Sequence, residues 1–154
     1  MSDLRLNLGC GAKHIENYLN VDKYGNPDLK FDERPQRGCL AMGTREFDLE
    51  TTPWPWSDDS VVKIEMCHVL EHLGEQTAIY LNIIQEIYRI CQSQAEIHIV
   101  VPHHRHDNLL HDPTHVRPIT PYGLSMFSQR LNREWQATGK PTTPKPGLTF
   151  ESSR

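Results

Sequence analysis

Apolar and polar side chains alternate along Leu4-Arg5-Leu6-Asn7-Leu8 with the two-residue period of a half-buried strand, and the run stops at Gly9-Cys10-Gly11. A second short run, Tyr18-Leu19-Asn20-Val21, stops at Asp22. Val61 to Cys67 follows the turn signal Ser57-Asp58-Asp59-Ser60, and Ile97-His98-Ile99-Val100-Val101 ends at Pro102. A shorter strand candidate, Glu46-Phe47-Asp48-Leu49, precedes the Pro53-Trp54-Pro55-Trp56 turn. Before Ile97 the period lengthens. Tyr80, Ile83, Ile84, Ile87, Tyr88 and Cys91 recur at i, i+3, i+4 spacing, which predicts an amphipathic helix over 75–91. Glu75 stands near its start, where the helix dipole favours negative charge. The Tyr and Ile stripe reads as core. Further on, Thr120 is an N-cap candidate with Pro121 at the first helical position, so residues 116–130 read as a loop and then a short helix.

Strands alternating with helical pattern predict an α/β fold, with a mostly parallel sheet and ligands at the carboxyl ends of its strands. The punctuation agrees, because Gly9, Asp22, Asp48, His68 and Pro102 each follow a strand candidate. After Trp135 the composition shifts to Thr, Lys, Gly and Pro. The expected organisation is one domain over 1–135 and a Pro/Thr-rich tail over 136–154, with at most one strand at Leu148-Thr149-Phe150.

Composition changes the picture in three places. Sixteen Lys plus Arg against twenty Asp plus Glu give a net charge of −4, so no duplex nucleic acid is expected as a partner. No apolar run approaches the ~18–20 residues of a membrane span, and Met1-Ser2-Asp3 opens no charged-then-apolar leader, so the expectation is a cytoplasmic protein without a membrane partner. Cys10, Cys39, Cys67 and Cys91 are scattered without Cys-x-x-Cys spacing, which disfavours a zinc ribbon or a disulfide framework.

A Gly-x-Gly turn after a strand lets the backbone pass close beneath a ligand, although alone it is equally a plain tight turn. Asp22 sharpens it, since a carboxylate at the end of the next strand can accept two hydrogen bonds from a ribose diol. The dinucleotide pattern does not follow, because His14 stands at the third glycine position and Asp22 comes only eleven residues after Gly11.

Leu6-Asn7-Leu8-Gly9-Cys10-Gly11, Leu19-Asn20-Val21-Asp22, Asp48-Leu49 before Pro53-Trp54-Pro55-Trp56-Ser57-Asp58-Asp59-Ser60-Val61, and His68-Val69-Leu70-Glu71-His72-Leu73 occur in an order that resembles the class I S-adenosylmethionine-dependent methyltransferases over about residues 4–130. The resemblance implies a Rossmann-like methyltransferase fold with helices on both faces of the sheet. It implies S-adenosylmethionine as cofactor and methyl transfer to a small molecule, a sugar or a protein side chain. Gly9, Cys10 and Gly11 would pass beneath the methionine moiety, Asp22 would bind the ribose and Lys23 would sit beside the adenine. Asp48 would accept from the adenine amino group, Leu49 would supply its backbone N–H, and His68 would lie near the sulfonium as base. Asn7 stands where many members carry an acid that contacts the methionine amine. Only five strand candidates precede residue 110 where the family has seven strands, so the chain reads as C-terminally reduced or as a fragment. The sheet edge near residues 135–151 is then expected to recruit a second copy or another protein. Two other function classes stay open: a non-catalytic binding or assembly module, and a metal-dependent hydrolase.

The second of these comes from the histidines, six of nine lying between His98 and His115. His111 and His115 are four apart, the spacing of a helical ligand pair, but Pro113 between them breaks such a helix. A loop-built site with Asp107 or Asp112 stays open. The favoured assignment is a substrate-contacting loop with His104, His111 and His115, and no metal ligand set is assigned. The resemblance agrees, since Asp112-Pro113-Thr114-His115-Val116-Arg117 followed by Thr120-Pro121 looks like an acceptor-side segment. Glu71 and His72 read equally well as a capping turn.

Overall fold

A computed structural model describes residues 4–24 and 44–140. Five strands form one sheet in the order β3-β2-β1-β4-β5, all parallel: β1 (Leu4–Leu8), β2 (Leu19–Asp22), β3 (Thr44–Glu46), β4 (Val61–Cys67) and β5 (Cys91–Val100). The helices are α1 (Thr77–Ile90), α2 (Asp107–His111), α3 (Pro121–Ser125) and α4 (Gln129–Ala137). The expected α/β class is therefore observed. The chain runs from β1 outward to β2 and β3, then returns to the other side of β1 for β4 and β5. The order reverses between β1 and β4, and in open α/β sheets ligands settle in the crevice outside such a reversal.

One face of the sheet is apolar. Leu6, Leu8, Val21, Ile64 and Met66 are buried there, and Ile83, Ile84, Ile87 and Ile90 of α1 pack into the same core. Each isoleucine so buried is worth ~1.5–3 kcal/mol, enough to set the helix's orientation. Alternate positions carry the opposite character. Arg5 is in register with Lys63 and Lys63 with Glu96, while Asn7 is in register with Glu65 and Glu65 with His98. Lys63 pairs with Glu96 at 3.1 Å, and His98 Nδ1 lies 2.6 Å from Glu65. The helix that packs on the described sheet, α1, takes the apolar face.

Some boundaries differ from the sequence pattern. β5 starts at Cys91, directly after α1, rather than at Ile97, because Val61 pairs with Cys91 and Lys63 with Glu96, leaving a bulge in β5 that includes Gln94 at φ +66°. This polar stretch joins an edge strand that is half exposed, so it carries no alternation to detect. The third strand is displaced to Thr44–Glu46. Phe47 N–H still donates to Asp22 O, but Leu49 leaves the sheet to join the core. Thr120 accepts from Gly123 N–H at 2.9 Å with Pro121 in the first turn of α3, as the sequence predicts. A further helix, α4, is capped by Ser128 and runs to Ala137, two residues past the expected domain boundary. The Leu148–Phe150 strand, Cys39 and most of the expected C-terminal edge lie outside the described residues. Among those described, no helix is long and apolar enough to cross a membrane.

Candidate functional site

The β1 strand ends in a turn that only glycine can make. Gly9 has φ +66°, and a Cβ on it would stand 2.4 Å from a methyl carbon of Val69. The turn thus lies directly against the Val69 side chain, two residues after β4 ends. Gly11 also has a positive φ, +49°, with open space around its Cβ position. Cys10 N–H donates to Val21 O, and Gly11 N–H donates to Asp22 Oδ2 at 2.8 Å, so the glycine turn is tied to the end of β2. Burial, then the Asp22 charge, raises the Cys10 thiol above its ordinary value, which keeps it protonated near neutral pH.

Asp22, Lys23 and Asp48 form a contiguous edge. Asp22 accepts from Gly11 N–H and, through Oδ1, from Tyr24 N–H at 2.9 Å. A carboxylate has about four lone-pair sites, so two remain for a ligand diol. Lys23 Nζ lies 2.8 Å from Asp48 Oδ2, and that hydrogen bond holds the Asp48 carboxyl below its usual range against a smaller opposing effect of burial. Leu49 is buried beside it and its carbonyl accepts from Trp54 Nε1. Asn7 is placed differently. Its amide donates to Lys13 O and Asn20 Oδ1, both at 2.8 Å, and Asn20 in turn binds Ile15 and Tyr18. Both donors of Asn7 are spent on pinning the 13–20 loop, so it serves the loop rather than the ligand edge.

At the end of β4, His68 adopts φ +57°, an uncommon conformation for a residue with a side chain, and such residues cluster at functional sites. Its N–H donates to Val100 O. Its exposed ring puts Nδ1 3.3 Å from Glu71 Oε1. Glu71 itself is 0% exposed, and neither of its oxygens makes a hydrogen bond.

The histidine segments meet here. Residues 70–72 form a single 3-10 turn, and Glu71 O accepts from Val116 N–H at 2.9 Å, which clamps the 112–117 segment onto it. Arg117 reinforces the clamp by donating to Gly74 O and lying 4.1 Å over the Tyr80 ring. The rings of His72 and His115 are 4.5 Å apart. Of the three histidines expected in a substrate loop, His115 joins this cluster, whereas His104 and His111 are exposed; His104 stacks on His103. Asp112 follows α2 directly, so His111 and His115 share no helix. The pairing of His72 with His115 is absent from the sequence reading, and the only signal for it was the adjacency of Glu71 and His72. A separate groove of about 360 Å³ runs between α1 and α3, with Tyr80, Leu81, Ile119, Leu124 and Phe127 among its walls. None of the cofactor candidates lines it.

No protein-family model matches this chain, and neither a curated protein nor a solved structure matches it.

Proposed function

We propose that this chain is an S-adenosylmethionine-dependent methyltransferase with a Rossmann-like fold. One observation carries the reading. The Gly9–Gly11 turn sits where the strand order reverses, and Asp22 and Asp48 follow in succession after the next two strands. That order of strands is the one used by doubly wound nucleotide folds. The ribose and adenine ends fit the residues present, since Asp22 keeps two acceptor sites and Lys23–Asp48 lies beside it. The methionine end differs from the family pattern, because Asn7 is withdrawn into the loop network. The cofactor supplies a methyl group on an already activated sulfonium, so the protein's work is placement and proton removal. His68, oriented by Glu71 at 3.3 Å, is positioned to accept the proton of an acceptor hydroxyl or amine through its second ring nitrogen. The protonated Cys10 thiol in the turn is kept from competing for the methyl group.

Asp22→Ala is expected to weaken binding of S-adenosylhomocysteine by ~1.5–3 kcal/mol, about 10- to 150-fold, as measured by isothermal titration. An unchanged Kd would place the ribose elsewhere. Absence of any binding by the parent protein would end the reading altogether.

A further inference from the structure

We propose that Glu71, His72 and His115 form a binding site for a first-row divalent metal ion, argued from its own donors although it shares Glu71 with the proposed His68 base. One donor atom from each residue lies within 4.8 Å of the other two. Donors sharing one tetrahedral ion at a ~2.1 Å bond lie ~3.4 Å apart, so closing onto a metal draws the donor atoms together by up to roughly 1.4 Å.

The hydrogen bonds around the cluster select the metal-facing atoms. His115 Nδ1 lies 3.0 Å from Leu109 O, and a carbonyl only accepts, so Nδ1 carries the proton and Nε2 presents its lone pair. Thr114 Oγ1 donates to Asp112 Oδ1 at 2.6 Å; its oxygen is therefore left to accept from His72 Nδ1 at 2.9 Å, and His72 also presents Nε2. Asp112 Oδ1 also accepts from Thr114 N–H at 2.8 Å, which fixes it as the acceptor of the pair. Metal-binding histidines are oriented in this manner, with the far nitrogen donating to a carbonyl, a hydroxyl or a carboxylate. Here both histidines are so held.

Glu71 is the second, independent observation. A fully buried carboxylate whose two oxygens make no hydrogen bond is costly, and a cation repays it. His68 Nδ1, 3.3 Å from Oε1, engages one oxygen at ion-pair distance and leaves the other for the metal. Asp112 Oδ2 stands on the rim, 3.9 Å from His115 Nε2. Two neutral imidazoles and one carboxylate suit Zn²⁺, Fe²⁺ or Co²⁺ and leave a coordination position open to water or an oxygen-bearing ligand.

The test is titration of the untagged, chelator-treated full chain with Co²⁺, followed by visible absorption, and with Zn²⁺, followed by calorimetry. One equivalent per chain is expected, together with a metal-dependent rise in Tm. His72→Ala and His115→Ala should each weaken uptake at least ~10-fold, and Glu71→Gln likewise, with circular dichroism checking that each variant is folded. His103→Ala, which removes an exposed histidine outside the cluster, should bind as the parent does. No stoichiometric uptake by the parent, or uptake that survives both His72→Ala and His115→Ala in folded protein, would overturn the proposal. So would equal loss in His103→Ala.

Discussion

Gly9→Ala is expected to destabilise the fold by roughly 2–5 kcal/mol and, under the proposed function, to abolish measurable S-adenosylhomocysteine binding. Two costs add. A left-handed conformation at φ +66° costs a residue with a Cβ ~1–2 kcal/mol, and forcing a methyl to within 2.4 Å of a Val69 methyl carbon adds ~1–3 kcal/mol of overpacking. Val69 is buried, so it cannot swing into solvent. The two costs are separable. Val69→Ala added to Gly9→Ala removes the clash while leaving the backbone strain, so the double variant should recover part of the loss, seen as non-additivity in denaturant midpoints. Simple additivity of the two substitutions would show that the turn and Val69 are not in contact, and the close approach of β1 to the β4 exit would be wrong.

Arg89→Leu should produce the other large effect, about 2–4 kcal/mol at neutral pH, by uncoupling the 53–60 segment from α1. Arg89 donates to Trp54 O, Trp56 O, Asp58 and Glu86, and Glu86 accepts from Trp54 N–H at 2.6 Å. Glu86 is buried; burial alone would raise its carboxyl, but the Arg89 and Trp54 hydrogen bonds outweigh it and hold the group below its ordinary value. A carboxyl depressed in the folded state contributes stability that is fully present above its unfolded value, near ~4.3, and is lost as pH falls through the folded one. In Arg89→Leu the same carboxyl is buried without its cation, so its protonation relieves the variant. The stability gap between parent and variant should therefore narrow from pH 7 towards pH 4, measured by denaturant unfolding. A gap that is constant over that range would assign the loss to packing of the arginine stem alone.

The legible part of the fold is the part governed by periodicity. β1, β4 and α1 were readable because their burial follows the two- and 3.6-residue spacing of Leu6 and Leu8, of Ile64 and Met66, and of Ile83, Ile84, Ile87 and Ile90. The Thr120–Pro121 helix start was readable because a cap is a local interaction between a side chain and an N–H three residues on. The first half of β5 was not, because an exposed edge strand with a bulge is held by pairing to β4 rather than by its own pattern. α4 escaped for a related reason: its residues are mostly polar, and Leu131 and Trp135 are its only half-buried apolar positions, beside the Ser128 cap and the buried Asn132.

The same division runs through the site. The sequence by itself determined that a glycine turn, two carboxylates and a histidine would follow successive strands, since each stands immediately after an apolar run that a parallel sheet aligns. Only the tertiary structure decided what each of them touches. Asn7 donates to Asn20 Oδ1, thirteen residues on, because β1 and β2 pair in register, and this draws Asn7 away from the candidate ligand edge. His72 and His115 are brought ring to ring by the backbone hydrogen bonds from Val116 and Arg117 to Glu71 O, across a separation at which no spacing rule operates. Local patterns report the interactions a residue makes with its own neighbours in the chain, whereas a side chain's donors, lone pairs and burial are settled by whichever segment the fold lays against it.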